Sequence, residues 1–510
     1  MDFDFTLLYH SFGNVMFDWH VLLAIFIGVT GGITIGALPG LTATMGVALL
    51  VPFTFGRPPV ESLGMLLGIY CGGMYGGSIS AILIRTPGTP AAAATVLEGY
   101  PLGQRGEAGR ALAMALFASF SGGMFGALVM TFLSPYVAGV ALEFSYVEYF
   151  ALALFGLSVI ISISGVSIIK GVMAGLFGLL LSTVGMDPIS GYPRFTFGAI
   201  DLMEGPSFIP TLIGLFAVAE LFSNIEKMGV TEKIKARIGQ YFPSLADIKT
   251  SAPNIVKSST IGTIVGAIPG AGGDIAAFVS YAEAKRSSKH PEKFGTGLIE
   301  GVAATESANN ACSGGAMIPL LSLGVPGDAV TAVLLGAFIV QGLQPGPLLY
   351  KEHMDVVYNV FAAMIVANVA MLVVGAFGVR FFAKVIGIQK EILIPIIFVL
   401  SLCGSYAMRQ NVFDVYLTIG FGVIGYVMQR YDYPLSPILL ALILGPMAEA
   451  NLRRSMVVSG GDWHIIFSRP IAVSLMVLGV AFMIASVFNH RRIEKRLAEA
   501  RQAEAGTAPQ

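Results

Sequence analysis

Residues able to do chemistry gather in one place that should resist them. The run Thr305-Glu306-Ser307-Ala308-Asn309-Asn310-Ala311-Cys312-Ser313 interrupts an otherwise apolar stretch from Leu298 to Leu323. Ionisable and amide side chains are costly inside a membrane, so such a run marks a place where a solute or ion is handled. Asn309 and Asn310 can hydrogen-bond solute or ion oxygens, Ser307 and Ser313 add hydroxyls, and Glu306 can take a proton or pair with a cation. The competing readings are interhelical hydrogen bonding for the asparagines and a water-exposed cytoplasmic edge for Glu306.

A second set of positions is marked by Pro-Gly interruptions. They are Gly36-Ala-Leu-Pro39-Gly40-Leu-Thr42, Thr86-Pro87-Gly88-Thr89, Gly266-Ala-Ile-Pro269-Gly270-Ala-Gly272-Gly273 and Val325-Pro326-Gly327-Asp328. Breaking a helix within a bilayer frees N–H groups at one half-helix and carbonyls at the other, and leaving them unpaired is expensive. An anion such as a carboxylate can take the N–H groups with help from the helix dipole, and a cation can take the carbonyls. The expected substrate-binding set is therefore Gly40, Thr42, Thr86, Pro87, Gly88, Thr89, Gly270, Gly272, Gly273, Ser307, Asn309, Asn310, Pro326 and Gly327. The expected coupling-ion set is Gly36, Glu306, Ser313 and Asp328. Thr89-Pro90-Ala-Ala-Ala-Ala-Thr95 reads as a helix opening at Pro90, whose small residues leave its N–H groups reachable. Asp274 and Asp328 follow glycines, where helix capping is favoured over ion binding. Arg85 could clamp a carboxylate, but a cytoplasmic anchor is the favoured reading.

The elements that position these residues come in two matching sets. Gly32-xxx-Gly36-Ala-Leu-Pro39-Gly40 repeats as Gly262-xxx-Gly266-Ala-Ile-Pro269-Gly270 in the same register. Gly76-Gly77 and Pro87-Gly88 follow the first copy, and Gly314-Gly315 and Pro326-Gly327 the second. Ten residues separate Gly77 from Pro87 and eleven separate Gly315 from Pro326. Broken segments at corresponding positions of two halves point to an inverted-repeat transporter with its site where the breaks meet.

Composition sets the solvent. Of 510 residues, 55% are hydrophobic and 12% charged, half the charged share of ordinary globular chains, roughly 25%. Apolar runs such as Val21–Ala37, Leu112–Leu133, Tyr149–Ser162, Val356–Val379 and Ile471–Phe488 approach the roughly 20 residues a spanning helix needs. They do not alternate as barrel strands would. The fold class is an all-α polytopic membrane protein, two inverted-topology repeats with broken helices or re-entrant hairpins and about 11–12 transmembrane segments. Basic residues mark cytoplasmic loops. Lys227, Lys233, Lys235, Arg237, Lys249 and Lys257 form one cluster, Lys285 to Lys293 another, and the tail carries Arg491, Arg492, Lys495, Arg496 and Arg501. Residues 258–283 then enter and leave on the same side, and the N-terminus and the loop Asp187–Pro206 lie outside. This arrangement leaves Arg453 and Arg454 outside, against the rule. The expected organisation is a first repeat over 1–222, a cytoplasmic connection over 223–257, a second repeat over 258–468, an extra helix over 469–490 and a cytoplasmic tail over 491–510. No Lys or Arg precedes the first apolar run, so no cleavable signal peptide is expected.

Other chemistries find little support. There is no GxxxxGK[ST] loop for ATP and no HExxH, and the six histidines fall near span ends. Cys71, Cys312 and Cys403 are far apart and read as packing residues. No metal site, cofactor or nucleic-acid partner is expected. A carboxylate or ion channel, or an exporter without a binding protein, would need a continuous polar pore where the chain has two short polar foci. An intramembrane enzyme using Ser307 or Ser313 lacks a histidine base.

Gly36-Ala-Leu-Pro-Gly-Leu-Thr42, Thr86-Pro-Gly-Thr-Pro90, Arg194-Phe-Thr-Phe-Gly198, Gly266 to Gly273 and Gly301-Val-Ala-Ala-Thr-Glu-Ser-Ala-Asn-Asn-Ala311, with Ile318-Pro319 and Gly324-Val-Pro-Gly327, give the chain a family likeness. Over roughly residues 15–490 it resembles the large membrane subunit (TctA) of the tripartite tricarboxylate transporters. The resemblance implies a cation-coupled importer of the bacterial inner membrane, using Na⁺ or H⁺. It also implies a small four-helix membrane subunit and a periplasmic solute-binding protein that delivers a tricarboxylate or dicarboxylate. Arg85 stands where the family tends to have Asn, and Thr305 where Pro is expected; both adjoin the implied site.

Overall fold

In the order of the chain, helices α1 (Phe5–Phe17), α2 (Trp19–Ala37) and α3 (Ala43–Leu50) lead into α4 (Pro59–Ile84), α5 (Val96–Gln104) and α6 (Ala108–Ala141). Then follow α7 (Tyr146–Ile163), α8 (Ile168–Ser182), a short hairpin of β1 (Gly185–Met186) and β2 (Pro193–Arg194), α9 (Phe208–Leu212) and α10 (Ala219–Glu226). The later part holds α11 (Leu245–Gly266), α12 (Gly273–Ser287), α13 (Ile299–Leu323), α14 (Ala329–Val340), α15 (Pro347–Glu352) and α16 (Met354–Val385). It closes with α17 (Lys390–Arg409), α18 (Val412–Arg430), α19 (Ser436–Val458), α20 (His464–Phe467) and α21 (Pro470–Ile484). This is a computed structural model, and it describes residues 3–163, 167–187, 189–226, 242–388 and 390–484. The tail cluster and four of the basic residues of the connecting segment, Lys227 to Arg237, lie outside the described residues.

The chain is an all-α polytopic membrane protein. Seven helical spans among the described residues are long and apolar enough to cross a membrane, among them α2, α4, α6, α16 and the continuous run Phe208–Glu226 through α9 and α10, and shorter apolar helices accompany them. All five apolar runs singled out in the sequence fall on helices, with Ile471–Phe488 described as far as Ile484. Where helices start, short polar residues take the free N–H groups. Asp4 accepts from Leu7, Asp18 from His20, Thr42 from Met45, and Ser244 from Asp247.

Two compact units divide the chain, one from Met1–Glu143 and Ser207–Val427, the other from Phe144–Pro206 and Met428–Gln510. Each unit therefore draws on both sequence halves. In the first unit α4 and α13 are the innermost helices, buried from Ser62 to Ile82 and from Gly301 to Ser322. Their helical neighbours touch them through backbone. A Cβ on Gly32 of α2 would lie 2.4 Å from the Ile69 carbonyl of α4, and one on Gly72 of α4 would lie 2.4 Å from the Val29 carbonyl of α2. Likewise Gly266 of α11 abuts the Cys312 carbonyl at 2.3 Å, and Gly126 of α6 abuts the Ala311 carbonyl at 2.4 Å. Such small-residue contacts are how membrane helices gain dispersion energy without a hydrophobic driving force.

Local geometry at the interruptions recurs. The α2–α3 and α11–α12 pairs each turn on a glycine of positive φ, Gly40 at 88° and Gly270 at 84°. Helices α4 and α13 both end in a left-handed residue two positions before the Pro of the next break, Arg85 at φ 60° and Gly324 at φ 72°. Residues 258–283, expected to enter and return, lie within the helical hairpin of α11 and α12, whose tip is at 267–272.

In the second unit the pair Arg453 and Arg454, awkward for the charge count, finds partners. Arg453 bonds Asp187 at 2.7 Å and Glu449 at 2.8 Å, Arg194 bonds Glu449 at 2.7 Å, and Arg454 lies over the Tyr146 ring. The positive charge is thus met locally by carboxylates and an aromatic face. N–H groups of Ser190 and Ile189 donate to Asp187, and with Arg453 they hold its carboxyl well below the usual range although burial opposes this.

Two outcomes test this packing. Gly32→Ala must push α2 from α4 and should lower stability by about 1–3 kcal/mol, while Gly31→Ala, with nothing within 4 Å of its Cβ, should melt like the parent in detergent. Because the folded pKa of Asp187 lies below the unfolded value of about 3.9, its stabilisation is present above that value and lost as pH falls through the folded one. The gap in Tm between parent and Asp187→Asn should therefore be open at neutral pH and close in acid; a gap unchanged throughout would refute the assignment.

Candidate functional site

Helical geometry sorts the polar run of α13 onto different faces. Glu306, Asn309, Asn310 and Ser313 stand at i, i+3, i+4 and i+7, one stripe of the helix. Ser307 is turned away, its backbone carbonyl packed on Gly122 of α6 and its hydroxyl donating to the Ala303 carbonyl at 2.7 Å. Ser313 also spends its hydroxyl within the helix, on the Asn310 carbonyl at 2.6 Å. Two of the expected hydroxyl ligands are thus internally satisfied.

Asn309 lies where elements of both sequence halves meet. Its amide donates to the Met74 carbonyl of α4 at 3.1 Å. Its side-chain oxygen, fully buried and without a hydrogen-bond partner, lies beside Gly273, the first residue of α12, together with the Met74 methyl and Ala91. No side chain caps α12, whose N-cap position is Gly272. First-turn amides have no acceptor inside their own helix, so this end presents N–H groups next to Asn309. Met74 and Ala91 were not among the expected site residues. Their spacing relative to the Gly-Gly and Pro-Gly breaks was the only signal, because neither carries a polar side chain.

The breaks themselves interlock. A Cβ on Gly88 would lie 1.8 Å from the Gly36 carbonyl, and one on Gly327 would lie 2.5 Å from the Gly266 carbonyl, so each second break seats against its own hairpin. The Gly88 amide donates to Gly77 at 3.2 Å and the Gly270 amide to Gly327 at 2.7 Å. At Gly40 the carbonyl accepts from Asn224 of α10 at 2.9 Å. Thr89 is buried with its hydroxyl unpartnered, against Gly77. The helix expected to open at Pro90 is instead a 3₁₀ turn over Pro90–Ala92, and α5 begins at Val96. Bonds from Ala92 to Thr89, Ala93 to Pro90 and Thr95 to Ala92 wind it tightly where it wedges against α12 and α13.

Several expected site residues have local employment. Thr42 caps α3 at 3.1 Å. Asp328 caps α14 in a reciprocal box with Thr331, and its other oxygen accepts from the Tyr70 hydroxyl at 2.6 Å. Thr86 is exposed, and Pro87 is partly so. Pro326 is buried beside Gly327. Arg85 is exposed with its guanidinium 5.7 Å from the Tyr100 ring centroid. Asp274 occupies the first turn of α12 rather than its cap.

Glu306 is not at a water edge. It is fully buried, accepting from the Thr95 hydroxyl at 2.5 Å and from the Ser119 hydroxyl of α6 at 3.0 Å. Glu98 of α5, also fully buried, accepts amides of Gly295, Gly297 and Leu298 and the Tyr281 hydroxyl, tying α5 to the loop before α13. Among the described residues no cluster of three or more His, Cys, Asp or Glu could hold a metal ion. Cys71 and Cys312 are buried, whereas Cys403 is exposed.

A left-handed conformation costs a non-glycine residue about 1–2 kcal/mol, with Asn the better-tolerated exception. Arg85→Asn should therefore melt above the parent, and the β-branched Arg85→Val below it by on the order of 1 kcal/mol; equal melting of the two in detergent would contradict the backbone assignment.

Comparison with known proteins places the chain. It is 40% identical over 470 residues, 92% of this chain and 94% of the relative, to a protein of Agrobacterium vitis described as an uncharacterized 52.8 kDa protein in the TAR-I ttuC' 3' region. A second Agrobacterium vitis protein, described as uncharacterized in the TAR-II ttuC' 3' region, is 39% identical over 234 residues, 46% of this chain and 97% of that protein. The model of the tripartite tricarboxylate transporter TctA family matches residues 22–440, carrying the two hairpins, both second breaks and α13, and the chain belongs to that family.

Proposed function

We propose that the chain is the permease subunit of a secondary, cation-coupled importer of a small carboxylate, and that the solute binds at the first turn of α12 beside Asn309. The observation that carries this reading is the uncapped α12 terminus lying against a buried, unpartnered Asn309 oxygen. Helix N-termini favour carboxylates through their N–H groups and dipole. The Asn309 oxygen adds an acceptor for a donor group on the solute, and the unpartnered Thr89 hydroxyl stands on the segment that packs against α12.

In this reading the two halves are inverted repeats, with matched turns at Gly40 and Gly270 and matched helix ends at Arg85 and Gly324 supporting the relation. Transport proceeds by alternating access, the broken-helix region moving against the remaining helices. The protein sits in a bacterial inner membrane with its N-terminus outside and its C-terminus cytoplasmic. It works with a small four-helix membrane subunit and a periplasmic solute-binding protein, as the tripartite family implies.

Uptake into proteoliposomes with the partner subunits, offered citrate, malate and succinate, tests the reading. Asn309→Ala should cut uptake by about tenfold or more, as loss of one buried hydrogen-bonding group of about 1–3 kcal/mol allows. Asn310→Ala, whose side-chain oxygen is likewise unpartnered, should also impair uptake. Normal transport by both folded variants would remove the site.

A further inference from the structure

We propose that Glu306, with Thr95 and Ser119, forms a proton-carrying centre that couples solute movement to the proton gradient. The inference rests on the permease reading above and names its coupling ion and the residues that hold it. Glu306 is fully buried on α13 and, among the described residues, makes no ion pair with a basic side chain. An isolated carboxylate in such surroundings is costly, and either a bound cation or a proton removes the cost.

The hydrogen bonds around Glu306 suit a proton. Thr95 and Glu306 oxygens are 2.5 Å apart, Ser119 and Glu306 oxygens 3.0 Å, and Thr95 and Thr305 oxygens 2.9 Å. These are hydrogen-bond separations. The hydroxyls also form a directed chain. Ionised Glu306 accepts from Thr95 and Ser119. Protonated Glu306 can donate to Thr95, which then donates to Thr305, whose own proton goes to the Val302 carbonyl at 3.0 Å. Every hydroxyl keeps a partner in both states.

The remaining titratable and charged groups on the surrounding helices are engaged elsewhere or distant. On α5, Glu98 is held by backbone amides; on α6, Arg110 pairs with Glu107 and Asp247; on α11 and α12, Lys257 pairs with Glu283. Asp274 of α12 lies beside Gly272, Asp328 accepts from Tyr70 of α4, and the Tyr350 hydroxyl of α15 is buried. The Tyr75 hydroxyl of α4 is buried without a hydrogen-bond partner. Asn310 donates to the Glu306 carbonyl at 3.3 Å and Asn309 stands three residues along the same stripe. A change of charge at Glu306 is thus felt one helical turn from the proposed solute.

The experiment combines carbodiimide labelling with transport. In the parent protein, dicyclohexylcarbodiimide should modify Glu306, identified by mass spectrometry, with labelling that falls as pH rises. In proteoliposomes with the partner subunits, an inward proton gradient without Na⁺ should drive citrate, malate or succinate accumulation in the parent but not in Glu306→Gln, and Thr95→Val and Ser119→Ala should shift the pH midpoint of uptake. Accumulation by Glu306→Gln equal to the parent, Glu306 labelling absent or independent of pH, or parental accumulation driven by Na⁺ alone would each overturn the proposal. Labelling as expected with no counterflow of any tested carboxylate would instead support the proton centre and overturn the carboxylate reading.

Discussion

Backbone-to-backbone contact between helices is the constraint on which the rest of this protein depends. Gly32 and Gly72 bring α2 and α4 within carbonyl contact, and Gly266 with Gly126 does the same for α11 and α6 against α13. In lipid, helices gain little by hiding apolar surface from one another, so close approach through missing side chains is what holds them. That approach leaves no room between the hairpin tips and the second breaks. Gly88 and Gly327 consequently sit directly on carbonyls of Gly36 and Gly266, and freed backbone groups are partly met by one another.

Polar groups left over after this self-satisfaction are where the proposed solute site lies. The tip of the first hairpin is tied by Asn224, and Asp328 and Thr42 close their own helix starts. At α12 no side chain performs that task, and the nearest amide oxygen, on Asn309, is itself unpaired. This remainder, one of several buried polar atoms without a partner, is the one that the proposed solute would complete. Glu306 belongs to a neighbouring remainder of different kind, a buried carboxyl whose partners are the hydroxyls of Thr95 and Ser119.

The second unit shows how charge rules yield to local pairing. Counting basic residues placed Arg453 and Arg454 on the disfavoured side, but Asp187, Arg194, Glu449 and Arg453 form one network around the β1–β2 hairpin. A positive charge matched in place lacks the free charge that the counting rule assumes. The network is invisible to counting because its members lie far apart along the chain.

From the order of residues alone came the all-helical membrane architecture, the two matching sets of breaks, the hairpin around residues 258–283, the polar focus on α13 and the family. These are readable because hydropathy, Pro and Gly act locally on the backbone. Which face each polar residue occupies needed only helical spacing, yet whether a hydroxyl was free needed coordinates: Ser307 and Ser313 bond their own helix, and Thr42 and Asp328 cap theirs. Met74, Ala91, Thr95 and Ser119 entered only through packing of distant segments, as did the burial of Glu306. Likewise, division into two units that each combine both halves follows from contacts across hundreds of residues. Local preference decides where a helix stops; tertiary contact decides which of its unsatisfied groups remain for a solute.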